Sequence, residues 1–155
     1  DGLFPLRDYL DAGGAWGVGS DSHISVSPVE ELRWLEYGQR LHTRHRNIAV
    51  GGEGDSVGET LLYGVLASGA NATGQPVGVL APGMAADWIA LDAQAPAFAG
   101  ARAEDVVDRW LFSGNRNLVR EVRVAGETLV SAGRHRDAEA IATRYRQAVE
   151  RVLAV

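Results

Sequence analysis

The sequence predicts an α/β fold on three observations. An apolar run bracketed by glycines, residues 15–19, is typical of a buried parallel strand. Two later segments each begin with a capping box, which predicts a helix. Residues 87–92 and 119–131 alternate apolar and polar side chains with a period of two, the pattern of strands. We therefore expect a strand and two helices, then a small antiparallel sheet with a helical insert, then a closing helix.

The chain is predicted to open with a short helix followed by a strand. Residues 5–13 place Pro5 at the first helical position and Gly13 just past the end, an arrangement typical of helices. The apolar run 15–19 comes next and stops abruptly at Ser20 and Asp21. We expect a buried strand here, with polar side chains at its carboxyl end.

Two capping boxes predict the next two helices. Ser27 with Glu30 forms the first box, and Ser56 with Glu59 forms the second, ahead of a helix that runs to about residue 72. One arc of the first of these helices is expected to pack against a core. That arc comprises Trp34, Tyr37, Gly38 and Leu41.

The second half of the chain is predicted to hold the antiparallel sheet and the closing helix. The run 119–131 contains Ala125 and Gly126, where it is expected to fold back as a hairpin. Residues 105–112, between the two alternating runs, predict a short helix. Over 138–153 apolar residues recur at helical spacing, so we expect an amphipathic helix. Its apolar side comprises Ile141, Tyr145, Val149 and Val152.

Composition excludes several classes of function. The chain has 155 residues and no cysteine, which excludes disulfide scaffolds, cysteine nucleophiles and thiolate metal sites. All 15 basic residues are arginine, so the Walker phosphate loop and lysine Schiff-base chemistry are excluded as well. A net charge of −5 without a basic block argues against nucleic acid as a partner. No apolar run approaches the roughly 18 residues of a membrane helix.

Asp21 is the first candidate for chemistry. It follows the predicted strand, and in parallel α/β architectures catalytic groups stand at the carboxyl ends of strands. A carboxylate there can bind a divalent metal and accept a proton from metal-bound water. An aspartate after a strand is more often an N-cap or Asx-turn residue than a functional group, so the pattern alone favours the structural interpretation.

Two other sets of residues are weaker candidates. Residues 54–58 match the G-x-S-x-G elbow of serine hydrolases at Ser56, with Asp92 or Asp108 and then His135 in the required order. No hydrophobic strand abuts the first glycine, however, and the capping box explains Ser56 more simply. Of the histidines, only His23 lies near Asp21, and no spacing typical of paired metal ligands occurs. His42, His45 and His135 are expected to be surface or structural residues.

Several segments resemble the amidohydrolase superfamily, and one narrows the likeness to the formimidoylglutamate deiminases. Residues 17–25 (GVGSDSHIS) and 29–41 (VEELRWLEYGQRL) look like the last barrel unit of these deiminases. Residues 78–87 (GVLAPGMAAD) are similar to the segment with which many amidohydrolases re-enter a small β-sandwich domain. Residues 109–114 and the hairpin 122–133 also fit. The likeness covers essentially the whole chain.

The resemblance implies the C-terminal part of a metal-dependent (β/α)8 TIM-barrel hydrolase plus the C-terminal part of a small β-sandwich domain. Residues 1–74 would be the last βα units of the barrel. Residues 75–135 would be the returning segment of the sandwich domain with its helical insert, and 136–155 the C-terminal helix. The full-length enzyme is implied to be a cytoplasmic homodimer that binds neither nucleic acid nor membrane.

The resemblance also implies a reaction and a metal site. The reaction is hydrolysis of N-formimidoyl-L-glutamate to N-formyl-L-glutamate and ammonia, as in histidine degradation, with one divalent metal, zinc. The family holds this metal with histidines on other strands and with an aspartate that ends the eighth strand. Only that aspartate maps here, onto Asp21, which is implied to bind the metal and to relay a proton to the departing nitrogen. Ser22 and His23 are implied to lie at the rim of the pocket or to support the ligand.

Size limits what this chain is expected to do alone. A barrel takes about 250 residues and closes only with all its strands. One carboxylate does not make a zinc site. The first residue is Asp1, without an initiator Met or the pattern of a signal peptide. We therefore expect a C-terminal portion of a longer enzyme, which alone neither binds zinc tightly nor hydrolyses formimidoylglutamate.

Three alternatives stay open at this point. Another deaminase of the superfamily, or an imidazolonepropionase, would also keep Asp21. A non-catalytic assembly module would use the sheet and the amphipathic tail instead. The serine hydrolase would need a reactive Ser56.

Overall fold

The computed structural model describes residues 2–22, 24–52 and 54–154. These residues divide into two compact units. The first unit comprises Asp1–Met84 with Ala93–Arg116, and the second comprises Ala85–Asp92 with Asn117–Val155. The helical insert between the two predicted strand runs therefore packs with the first unit.

The described residues of the first unit form four helices. They are α1 (Leu6–Asp11), α2 (Pro28–Thr43), α3 (Val57–Thr73) and α4 (Val106–Phe112), with short 3₁₀ turns at Pro96–Phe98 and Ala103–Asp105 before α4. All four helices were predicted from the sequence. Their shared core consists of Leu6, Trp16, Leu32, Ala49, Val57, Leu61 and Leu111.

Local capping chemistry sets where α2 and α3 begin. The Ser27 hydroxyl accepts the main-chain N–H of Glu30 at 3.3 Å, and Pro28 occupies the first helical position. The Ser56 hydroxyl accepts the N–H of Glu59 at 2.9 Å. Each serine thereby satisfies an N–H that has no partner inside its helix. Both caps confirm the positions predicted from the sequence.

The predicted core-facing arc of helix α2 is only partly buried: Gly38 is buried and Tyr37 half-buried, as predicted, but the other two members are exposed. Trp34 and Leu41 are exposed by 53% and 75%, whereas Leu32, Glu36 and Gln39 are buried. The physical reason is that the buried polar groups have partners: Glu36 accepts main-chain N–H groups of residues 48 and 49. Burial of a satisfied carboxylate is tolerated, so an arc with mixed polarity faces the core.

The predicted strand over 15–19 is also not formed in the described part of the chain. These residues form neither a helix nor a hydrogen-bonded strand. Among the described residues, their main chain makes one hydrogen bond, from the Trp16 N–H to the Ser68 hydroxyl at 3.2 Å. A strand requires a neighbouring strand, and none of the described strands pairs with this segment.

The described residues of the second unit form a four-stranded antiparallel sheet and one helix. Its strands are β1 (Trp88–Leu91), β2 (Val119–Val124), β3 (Glu127–Ser131) and β4 (Arg134–His135), in the order β1-β2-β3-β4. The predicted strand runs and the hairpin between β2 and β3 are confirmed, and the short β4 was not predicted. Helix α5 (Ala138–Leu153) is confirmed, but its apolar side is not buried, since Ile141 and Tyr145 are 48% and 69% exposed.

Asp87 ties the hairpin turn to β1. Ala125 and Gly126 have φ values of 49° and 81°, the left-handed pair that a tight two-residue hairpin turn requires. The Asp87 carboxylate accepts the N–H of Ala125 at 2.7 Å, and the Gly126 N–H donates to the carbonyl of Ala86 at 3.0 Å. The Ala-Asp pair at 86–87 therefore has a structural role in the sheet.

Candidate active-site segment

The candidate site is the segment that follows Trp16 and ends at Ser22. Trp16 anchors its beginning: the indole is 7% exposed and lies against Gly64 of α3. A Cβ at Gly64 would stand 2.7 Å from the Trp16 ring, so only glycine admits the indole this close. Trp16 thereby fixes the start of the segment against the helical core.

Asp21 lies on an exposed turn at the other end of this segment. Its φ is 39°, in the left-handed region that aspartate enters more readily than most residues. Ser22 is exposed in the same turn. His23, the third predicted residue of the site, lies outside the described residues. The part of the chain that the structure describes therefore brings together Asp21 and Ser22.

These residues do not by themselves fit a zinc ion. Zinc sites take three or four protein ligands, usually histidine, cysteine or carboxylate. No group of three or more such side chains that could hold a metal occurs among the residues that the structure describes. Asp21 can supply one oxygen ligand, and the remaining ligands of any metal site would have to come from elsewhere.

The serine-hydrolase arrangement has no support in the geometry. Ser56 uses its hydroxyl as the N-cap of α3, as described above. The Asp108 carboxylate accepts the N–H of Gly58 at 2.7 Å and so is committed to the same helix terminus. Within the described ranges, the residues before Gly54 form no strand that could carry a nucleophile elbow. The sequence match at 54–58 thus corresponds to a helix cap.

Two of the other three histidines have local partners, and the third is exposed. A ring nitrogen of His45 lies 2.7 Å from the carbonyl of Thr43, at the end of α2. His135 lies on β4, where its Nδ1 accepts the N–H of Asp137 at 3.1 Å. His42 is exposed in the last turn of α2. Their structural or surface placement agrees with the expectation.

Beside the candidate segment lies an apolar groove that sequence reasoning missed. Its volume is about 590 Å³, and its walls include the apolar residues Leu3, Phe4, Trp16, Val18, Trp34 and Leu35 together with the polar residues Glu31 and Gln39. The sequence pattern assigned Trp34 to a core-facing arc. Two sequence features together could have identified the groove. Several aromatic residues lie near the predicted strand 15–19, and no other segment was predicted to pair with that strand.

The chain is similar to known enzymes along nearly its whole length. It is 48% identical over 153 residues, 99% of the chain, to formimidoylglutamate deiminase of Pseudomonas aeruginosa, so the resemblance inferred from the sequence is confirmed. The chain spans 34% of the length of that relative. No family model matches it.

Solved structures with a similar fold include an amidohydrolase, a chlorohydrolase and a deaminase. An amidohydrolase from Brucella melitensis is 36% identical with a TM-score of 0.89, over 99% of this chain and 33% of that one. Atrazine chlorohydrolase from Arthrobacter aurescens TC1, solved with zinc, is 26% identical with a TM-score of 0.74, over 92% of this chain and 31% of that one. An adenosine deaminase from Xanthomonas campestris with bound zinc shares the fold, with a TM-score of 0.76 at 19% identity, over 97% of this chain and 34% of that one.

Proposed function

We propose that the chain is part of a hydrolytic deiminase of the amidohydrolase superfamily that acts on N-formimidoyl-L-glutamate. The observation that carries this proposal is the 48% identity to the Pseudomonas aeruginosa deiminase over 99% of the chain. The Brucella melitensis amidohydrolase supports the same class. Because the chain spans about a third of each relative, the proposal concerns the complete protein.

The proposed reaction consumes water and releases ammonia. Water adds to the formimidoyl carbon, the bond from that carbon to the terminal nitrogen breaks, and the nitrogen leaves as ammonia. The product is N-formyl-L-glutamate. The substrate carbon is an amidine carbon, for which a nearby carboxylate that accepts a proton from water is a suitable general base.

Asp21 is the residue of this chain that we propose for that role. It is exposed on a turn directly after the segment anchored by Trp16, which leaves its carboxylate accessible. We propose one divalent metal, zinc, in the complete protein, with Asp21 as one ligand, because two of the similar structures were solved with zinc. Ser22 and His23 are proposed to border the same pocket.

A chimeric enzyme tests the proposal. This chain would replace the matching third of the Pseudomonas aeruginosa deiminase, and ammonia release from N-formimidoyl-L-glutamate would be measured. Asp21→Asn should lower kcat/KM by about 10³-fold or more, as expected for removal of a group that touches the reacting atoms. Asp11→Asn, at an exposed carboxylate of α1, is the matched control and should leave the rate unchanged.

The outcomes of the chimera experiment distinguish the deiminase from the alternative functions. A chimera that folds but does not release ammonia would contradict the proposed deiminase activity. Activity of the Asp21→Asn chimera equal to that of its parent would favour the non-catalytic assembly module. A panel of other amidines and aminated heterocycles distinguishes formimidoylglutamate from substrates of other amidohydrolases.

The resemblance also supports two properties of the complete protein that we propose with the reaction. It would be a cytoplasmic enzyme, and it would be a homodimer, which light scattering on the chimera tests. None of the described helices is long and apolar enough to span a bilayer.

A further inference from the structure

Two small residues of α3, Gly64 and Ser68, form a slot that holds Trp16. They lie four residues apart in the helix and so face the same side of it. A Cβ at Gly64 would stand 2.7 Å from the Trp16 ring, and the Ser68 hydroxyl accepts the Trp16 N–H at 3.2 Å. The slot therefore fixes both the side chain and the main chain of Trp16.

Little else in the described part of the chain holds the residues between Trp16 and Asp21. Across the described ranges, the main chain of residues 17–20 makes no hydrogen bond. Val18 packs in part against the core, whereas a Cβ at either glycine of this stretch would meet no atom within 4 Å. Because few contacts oppose it, a displacement of Trp16 is passed along the segment to Asp21.

The close approach at Gly64 gives the size of the displacement that a methyl group would cause. The nearest ring atom lies 2.7 Å from the position of a Cβ, whereas ordinary van der Waals contacts begin at 3.4 Å. The indole would therefore have to move by about 0.7 Å if the helix does not yield. A misplacement of about 1 Å at a catalytic group can lower a rate by about 10²-fold.

We propose that Gly64 and Ser68 are positioning residues for the Asp21 carboxylate, which they hold in place through Trp16. The inference rests on the proposed function, in which Asp21 is the general base. In this role neither residue of the slot touches the reacting atoms. Both set the place from which the turn at Asp21 presents its carboxylate to the substrate.

The chimera described above tests this role at Gly64. Gly64→Ala should lower kcat for ammonia release by about 10- to 100-fold and leave KM within about twofold. The substrate would still bind, but the base would be misplaced. Adding Trp16→Phe, a smaller ring, should recover at least about fivefold of the lost kcat, because it returns the space that the methyl group takes.

Gly69→Ala is the matched control for the glycine. It adds a methyl group to the same helix, but a Cβ at Gly69 would meet no atom within 4 Å. Its kcat should equal that of the parent chimera.

Ser68→Ala tests the same role without adding an atom. It removes the acceptor of the Trp16 N–H, so amide hydrogen exchange at residues 16–21 should become at least about fivefold faster. Ser68→Thr keeps a hydroxyl at this position and should retain the slow exchange and the parent kcat.

An equal loss of kcat in Gly64→Ala and Gly69→Ala would overturn the inference, as would a loss that Trp16→Phe does not reduce. A fall in Tm with unchanged kcat per folded molecule would overturn it too, since the slot would then serve stability alone. Faster exchange confined to Trp16 would contradict the link to Asp21. A parent chimera that releases no ammonia would contradict the deiminase activity, and exchange at residues 16–21 would then decide the inference by itself.

Discussion

The carboxylate of Glu36 accepts the main-chain N–H of Ala49 at 2.8 Å, and both residues are fully buried. The same carboxylate accepts the N–H of Ile48 at 3.2 Å and the Arg40 Nε–H at 2.6 Å. From the other side, the Arg7 guanidinium donates to the carbonyl groups of Ile48 and Val50. Charged side chains therefore satisfy the polar main-chain groups of 48–50 that a sheet would otherwise pair.

Glu36→Ala should destabilise the first unit strongly. The substitution leaves two N–H groups and the Arg40 guanidinium without their acceptor in the interior. Breaking a fully buried charged pair costs about 3–5 kcal/mol, and because the Arg40 side chain is 28% exposed we expect a loss of up to about this size. Chemical denaturation followed by tryptophan fluorescence measures the loss. Glu104→Ala is the control, because its exposed ion pair with Arg102 is expected to contribute less than about 1 kcal/mol. Equal losses for the two variants would refute the role of Glu36.

Arg33 caps the end of α4 from a neighbouring helix. Its Nε donates to the Leu111 carbonyl at 2.7 Å, and its two terminal nitrogens donate to Gly114 and Asn115 at 2.6 Å each. Lysine cannot reproduce a planar fork of three donors. We therefore expect Arg33→Lys to lose about 2 kcal/mol of unfolding free energy and Arg33→Ala no less. Full rescue by lysine, measured by denaturation, would show that the charge alone suffices.

Elements with local signals were predictable from the sequence, whereas burial was not. The caps at Ser27 and Ser56 depend on residues three apart, and the hairpin turn depends on Ala125 and Gly126, so each is encoded where it forms. The arc that α2 buries depends on Glu36 meeting residues 48 and 49, which follow the end of that helix. The strand at 15–19 depends on a partner strand that the described residues do not provide. Asp21 could be singled out by its place in the sequence, but the metal-binding role proposed for it requires further ligands, and the described residues contain no group that could hold a metal.

Ser56→Ala should lower stability and leave reactivity unchanged. The hydroxyl is the N-cap of α3, and loss of such a cap costs about 1 kcal/mol. Ser56→Asp keeps an acceptor for the Glu59 N–H and should retain most of the stability. Since the hydroxyl is the cap of α3 and the described residues before Gly54 form no strand of an elbow, a fluorophosphonate should not label the folded chain. Labelling that disappears in Ser56→Ala would revive the serine-hydrolase hypothesis.

We expect the first unit to lose stability in acid, because the Asp105 carboxylate stabilises it only while it is ionised. Hydrogen bonds from the Arg102 side chain and main chain hold the pKa of the Asp105 carboxyl below its ordinary value. A group whose pKa is lower in the folded state stabilises the fold above its unfolded pKa, about 3.9 for aspartate. That contribution is lost as the pH falls through the folded pKa.

Asp105→Asn removes this titration. We expect the difference in Tm between wild type and variant to shrink below about pH 4, where the wild-type carboxylate gains its proton. Because the pair is exposed, about 1 M NaCl should also reduce the difference at neutral pH. If the difference in Tm did not change with pH, the substitution would act through something other than the charge of the Asp105 carboxylate.

The chain alone should neither retain zinc nor release ammonia. Asp21 offers one carboxylate on an exposed turn, and the described residues contain no group of three potential ligands around a common point. Zinc bound by a single carboxylate exchanges with water, because tight binding needs three or four ligands held in place. Dialysis against micromolar zinc followed by metal analysis should therefore find no stoichiometric metal, while the chimera should retain about one equivalent. Ammonia release by the isolated chain that a chelator abolishes would show that these 155 residues assemble a complete site.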